Sequence, residues 1–134
     1  MKDLEPIYNK INELLIEELP RQIDKINKDR NDGIILEQFQ NTSLEEKCDT
    51  LPSYDCVLHE TECTQKDRII DIVLLSLTLT IKLKPNTKNK MARYSRYKQA
   101  IFYTFFEAET DLWNGFFDGP SHMDSIKLVW RIEN

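Results

Sequence analysis

Glycine is scarce in this sequence, with three residues in 134. Neither common glycine-rich phosphate loop is present, so nucleotide binding through a backbone cradle is not expected. Histidine occurs twice, as His59 and His122. Neither stands at metal-ligand spacing from a second histidine or a cysteine pair, so both are expected to be ordinary surface residues. Cysteine occurs three times, as Cys48, Cys56 and Cys63, with seven and six residues between them. These spacings match no standard zinc pattern. The count is odd, and the opening MKDLEPIYNK lacks the apolar stretch of a secretory leader. A reducing cytoplasm and free, inert thiols are therefore expected. No apolar run reaches the roughly 20 residues that span a bilayer. Ser53 and Ser121 lack the flanking glycines of a nucleophile elbow. Hence no catalytic, metal-binding or cofactor-binding residue is assigned, and an enzyme is not expected.

The longest apolar run is Asp67–Lys84, DRIIDIVLLSLTLTIKLK. Leu75, Leu77, Leu79, Ile81 and Leu83 alternate with Ser76, Thr78, Thr80, Lys82 and Lys84, the period of two of a β-strand with one oily face. Upstream, Ile69, Ile70, Ile72, Val73 and Leu74 leave almost no polar side, as in a strand covered on both faces.

The other elements arrange themselves around this strand. Leu4, Ile7, Tyr8, Ile11, Leu14, Leu15 and Leu19 share one helical face, predicting a helix over 3–19 capped by Asp3. Pro20 predicts a break or kink, followed by a short helix over 21–30 that Asn31-Asp32-Gly33 stops. Strands are expected over 34–39 and 54–62, the second forming a hairpin with the long strand through Thr64-Gln65-Lys66. The stretch 41–50 is expected to be irregular, with a helical turn at the Ser43/Glu46 capping box. A helix is expected over 91–108. Its inner face would be Tyr94, Tyr97, Ile101, Phe105 and Ala108, and its outer face Arg93, Arg96, Gln99, Tyr103 and Phe106. A loop follows over 110–124, with a helical turn at 111–116 and a turn at Asp118-Gly119-Pro120. The last strand, 125–133, is a good partner for the long one. The fold class is thus α+β, a single domain over 1–134. Its order is α-α-β-β-β-α-β, with about four mostly antiparallel strands and helices on one face.

Two features exceed what such a fold requires. First, Lys82, Lys84, Lys88, Lys90, Arg93, Arg96 and Lys98 follow one another with no acid between them, while the rest of the chain has 11 basic and 23 acidic residues. The net charge of -5 argues against general nucleic-acid binding. A basic stretch on an acidic body suits electrostatic docking, for instance head-to-tail against an identical neighbour, or else a solvated surface. Second, aromatics are in surplus. Tyr103 and Phe106 fall off the inner helix face, and Trp113, Phe116 and Phe117 follow without periodicity. Part of this set must be core, and the remainder suits an exposed interface patch.

The stretches LPRQIDKIN with DGIIL, LPSYDCVLHE, and DRIIDIVLLSLTLTIKL, with Tyr94-x-x-Tyr97-x-x-Ala100-Ile101 and a closing strand, resemble small tailed-phage structural proteins. The class they resemble is the tail-terminator or tail-completion family, including prophage copies. The resemblance covers most of the chain as a pattern of elements. It implies ring assembly, commonly hexameric, at the tail–head joint. The implied partners are the chain itself, the tail-tube protein and head-completion proteins. From the residues themselves no membrane and no cofactor is expected, and nucleic acid only if the basic stretch meets phosphates locally. The implied location is the host cytoplasm during assembly and then the virion. Candidate interface residues are Lys82, Lys84, Lys88, Lys90, Arg93 and Arg96 as charges, and Tyr103 and Phe106 as apolar anchors. Two other readings remain open. One is a monomeric bacterial module holding a peptide or small ligand between sheet and helices, near Tyr94, Tyr97 or Trp130. The other is an enzyme without a recognisable motif.

Overall fold

The computed structural model describes residues 3–41, 43–44, 48–64, 71–106, 114–117 and 122–133. The chain begins with one long helical rod. Helix α1, Glu5–Glu13, passes through a π-helical turn, Leu14–Glu18, into α2, Leu19–Asp29. Leu4, not Asp3, takes the cap position and makes no side-chain cap bond, but the Asp3 carboxylate one residue ahead accepts the Glu5 N–H at 3.0 Å. Pro20 does not break the rod. A proline within a helix has no N–H to donate and its ring crowds the carbonyl four residues back, here that of Ile16. The chain answers with one wide turn around Ile16, in which the Leu19 N–H reaches back to the Leu14 carbonyl. The irregularity therefore falls a turn ahead of the expected break.

Strands β1, Ser53–Thr64, and β2, Asp71–Lys82, pair antiparallel as a long hairpin with Ser53 opposite Lys82. Helix α3, Lys90–Phe106, leads to β3, Asn114–Phe117, and β4, Ser125–Glu133. The sheet is antiparallel with order β1-β2-β4-β3, so β4 lies between the long strand and β3. The α+β class, the hairpin and the β2–β4 pairing are as expected. Two elements differ. Asn114–Phe117, in the expected loop and its helical turn, form strand β3, with 111–113 outside the described residues, and the expected strand over 34–39 is an extended strap outside the sheet. The second half of the hairpin turn, the Glu46 half of the capping box, Trp113 and the Asp118-Gly119-Pro120 turn lie outside the described residues.

One face of the sheet is the core. Leu75, Leu77, Leu79 and Ile81 of β2 are flanked in register by Tyr54 of β1 and by Ile126, Leu128, Trp130 and Ile132 of β4, all buried. Ile7, Ile11, Leu14, Leu15, Leu19 and Ile23 cover them together with Tyr97, Ala100, Ile101 and Phe105 of α3. Trp130 meets the Phe105 ring edge-on at 5.5 Å. Each such side chain contributes about 1.5–3 kcal/mol by leaving water. The opposite face carries Ser76, Thr78 and Thr80, all half-exposed. Ile72 and Val73 point to opposite faces and are both buried, Leu74 on the Ile72 face is half-exposed, and Ile69 and Ile70 lie outside the described residues.

The strap explains itself through its hydrogen bonds. Gly33, at φ +82°, turns the chain out of α2 in a left-handed conformation that suits glycine. Beyond it, the Asn27 amide bonds both backbone groups of Leu36, donating to its carbonyl at 2.9 Å and accepting its N–H at 2.8 Å. Gln38 donates to the Pro20 carbonyl and to Asp24. From the other side Arg93 donates to the Ile35 carbonyl, Arg96 to the Ile34 carbonyl, and the Tyr97 hydroxyl to the Glu37 carbonyl. Side chains of α2 and α3 thus satisfy backbone groups that a neighbouring strand would otherwise take. Leu36 and Phe39 drop into the core, and Phe39 packs against the Tyr54 and Tyr97 rings.

Candidate functional site

The basic stretch is divided by the fold. Arg96 lies on the buried side of α3, 8% exposed, and not on the outer face where helical spacing put it. Its guanidinium is forked on the two Asp32 carboxylate oxygens while also reaching the Ile34 carbonyl. A fork-on-carboxylate pair holds better than a point charge would. Arg93 is spent on the carbonyls of Lys88 and Ile35. Lys82 pairs with Asp55 at 2.7 Å and Lys84 with Glu37 at 3.1 Å. Lys98 donates to the His122 carbonyl. So Lys82, Lys84, Arg93 and Arg96 all contact their own chain. Lys88 and Lys90 are exposed and form no ion pair among the described residues.

The Arg96 hydrogen bonds hold the Asp32 carboxyl at about 2, below its ordinary 3.8. A depressed carboxyl stabilises the fold above its unfolded value, and that contribution disappears as pH falls from about 4 to about 2. Wild type is therefore expected to lose more thermal stability than Asp32→Asn across that interval, in paired melts between pH 5 and pH 2. Equal losses would contradict the pairing.

Where the strap meets the turn after β2, an open groove of about 370 Å3 forms between Ile35, Glu37, Pro52, Lys84, Lys88 and Tyr97. Its walls mix charge and carbon. Asn86 and Asn89 both adopt positive φ, and the Thr87 hydroxyl donates to the Lys84 carbonyl, so the turn is tightly wound.

A second, more apolar groove of about 270 Å3 runs along α3 beside Lys98, Gln99, Phe102, Tyr103 and Ile126. Phe102 stacks on Phe106 at 4.4 Å and meets Tyr103 edge-on at 5.6 Å. Tyr103 is 36% exposed and Phe106 39%. The two aromatics singled out by sequence thus stand together in one half-open cluster. The side chains of Phe116 and Phe117 lie outside the described residues.

Chemistry-bearing groups are otherwise dispersed. Among the described residues no group of three His, Cys, Asp or Glu side chains is placed to hold a metal ion. His59 and His122 are exposed, and Ser53 is buried at the start of β1. Trp130 is 1% exposed and wholly packed, so it borders neither groove. Cys48 and Cys56 are free thiols. Burial pushes the Cys56 thiol up to about 12, with Asp55 adding to the effect. Since the thiolate is the reactive form, Cys56 is expected to resist iodoacetamide at pH 8 in the native protein and to react on unfolding. Mass mapping of the alkylated sites would check this, and rapid native labelling of Cys56 would contradict its burial. No helix among the described residues is long and apolar enough to cross a membrane.

Sequence offered no sign of the strap's anchors, Asn27 and Asn41, because each acts on backbone outside its own segment, that of Leu36 and of Tyr54. Asn41 donates to the Tyr54 carbonyl at 2.7 Å and accepts the Tyr54 N–H at 3.2 Å, closing the start of β1. The site and fold together define an α+β domain with an open aromatic cluster, a basic turn and a long hairpin. Comparison with known protein families, curated proteins and solved structures finds no match.

Proposed function

We propose that the protein is a structural component of a tailed-phage or prophage particle, of the tail-terminator or tail-completion kind, acting by ring assembly at the tail–head joint. The observation that carries the reading is the half-open cluster of Phe102, Tyr103 and Phe106 beside the apolar groove on α3. Exposed aromatics set in a shallow groove are the usual anchors of protein interfaces. Lys88 and Lys90 supply charge for orienting an acidic neighbour, and the body of each copy is acidic. On this reading the partners are further copies of the chain, the tail-tube protein and head-completion proteins, met first in the host cytoplasm and then in the virion. The protein has no catalytic task in this scheme.

Sedimentation across protein concentration, at low and high salt, tests the proposal. Association that Tyr103→Ser with Phe106→Ser abolishes is the expected result. A chain that stays monomeric at high concentration and low salt, and also fails to bind tail-tube protein, would overturn it.

A monomeric module binding a peptide or small ligand is the second reading. The groove edged by Tyr97, Lys84 and Lys88 is the observation in its favour. It takes the form of an open surface groove, because the space between sheet and helices is filled by the core side chains.

A further inference from the structure

The outer edge of β1 has an alternation that specifies what can join it. Strand β1 is the first in the sheet order, so one of its edges faces away from β2. Tyr54 turns both its N–H and its carbonyl to that edge, where Asn41 takes them. Its cross-strand neighbour Ile81 correspondingly sends its own N–H the other way, to the Asp124 carbonyl. In an antiparallel ladder such orientation repeats every second residue. Cys56, Leu58, Glu60 and Glu62 therefore also direct their backbone groups outward. Beyond Tyr54 no backbone partner stands at this edge among the described residues. The Asn41 amide imitates one residue of a neighbouring strand and then stops. The Leu44 N–H is already held by Asn12 of α1, so the chain has left the edge by that point.

We infer that the edge from Cys56 to Glu62 accepts an extended, basic strand from a partner protein. The edge is about 20 Å long at about 3.3 Å per residue, enough for a short added strand. The side chains choose the occupant. Asp55 is neutralised by Lys82, but Glu60 and Glu62 are exposed and pair with no cation among the described residues. They lie on one sheet face, two residues apart, so an incoming strand meets them with alternate positions. Lysine or arginine there is favoured, and acid is repelled. Toward the other end the strand meets half-buried Cys56 and Leu58 on that face and Val57, 64% exposed, on the other. The partner segment is therefore extended, apolar at one end and alternately basic at the other. This surface is separate from the aromatic cluster on α3, so it stands whether or not the chain forms rings.

The bland account of Glu60 and Glu62 is that acids guard an exposed edge against pairing. The full chain and short synthetic peptides distinguish the two. The probe alternates threonine with valine in one half and lysine in the other, in both sequence directions. Amide hydrogen exchange by NMR is the readout. One direction of the peptide is expected to slow exchange at Cys56, Leu58, Glu60 and Glu62 by tenfold or more. Val57, His59 and Thr61, already bonded to β2, are expected to change little. N-methylation of the peptide backbone, or glutamate in place of lysine, is expected to abolish the effect. Glu60→Lys with Glu62→Lys is expected to reverse the preference to the glutamate peptide. No protection, or equal binding of the N-methylated peptide, would overturn the inference. Protection that grows with protein concentration alone would assign the edge to a second copy and overturn it too. Ring formation without peptide binding would sink this inference alone, and peptide binding by a chain that neither self-associates nor binds tail-tube protein would sink only the ring.

Discussion

Leu77→Ala is expected to lower the free energy of unfolding by about 3–5 kcal/mol, read as a shift in urea midpoint at unchanged slope. Leu77 is fully buried at the middle of β2, between Leu58 and Leu128 in register and beneath the helices. Truncation removes its own transfer energy and leaves a cavity that the packed strand and helix neighbours close only in part. Against the 5–15 kcal/mol typical of a domain, roughly half the stability is at stake. Thr78 lies one position along, half-exposed on the opposite face. Thr78→Ala is expected to cost under about 1 kcal/mol. Equal costs at the two positions would contradict a sheet covered on this one face.

Asn27→Ala carries the next largest effect, about 2–3 kcal/mol. It strands both the N–H and the carbonyl of Leu36, and each unsatisfied backbone group costs about 1–3 kcal/mol where water cannot replace the partner. Asn27→Asp separates the two bonds. An ionised carboxylate still accepts from the Leu36 N–H but has no hydrogen to offer the carbonyl, so about half the loss is expected. The Leu36 amide should also exchange faster in Asn27→Ala than in wild type. A stability change within about 0.5 kcal/mol for Asn27→Ala would mean that the strap is held by its other hydrogen bonds and by Leu36 and Phe39 packing, and not by Asn27.

The strap shows why some of the fold was legible in the sequence and some was not. The periods of α1, β2 and β4 are written in adjacent residues, so Leu75 to Ile81 and Ile126 to Ile132 declare their inner faces directly. The apolar stretch 34–39 reads as a strand because it is extended and oily. What keeps it out of the sheet lies elsewhere in the chain, at Asn27, Arg93, Arg96 and Tyr97. Nothing local announces that a side chain will replace a strand. Arg96 misled for a related reason. Helical spacing ranks charge as outward, yet Asp32, 64 residues away, supplies the carboxylate that lets Arg96 be buried. The π-turn is the helix's accommodation of Pro20, and a proline rule foretold only the disturbance. Strand β3 is four residues long, too short for any period to emerge.

The candidate site was legible in part. Tyr103 and Phe106 stood out as aromatics off the inner face, and the fold leaves both half-open in one cluster. The basic run was visible as composition, but its division between intrachain bonds and free charge depended on where Asp32, Glu37 and Asp55 came to lie. The outward alternation of β1 was invisible, since sequence fixes which side chains share a face but not which strand is left at the edge.

The most direct test of the assembly reading is sedimentation velocity of wild type beside Tyr103→Ser/Phe106→Ser, over a wide concentration range at low and high salt, with and without tail-tube protein. The reading predicts that wild type associates with itself or on the tube, and that the double variant remains folded and monomeric in both settings. Wild type that stays monomeric at every concentration and does not bind the tube, or a double variant that assembles as well as wild type, would contradict it.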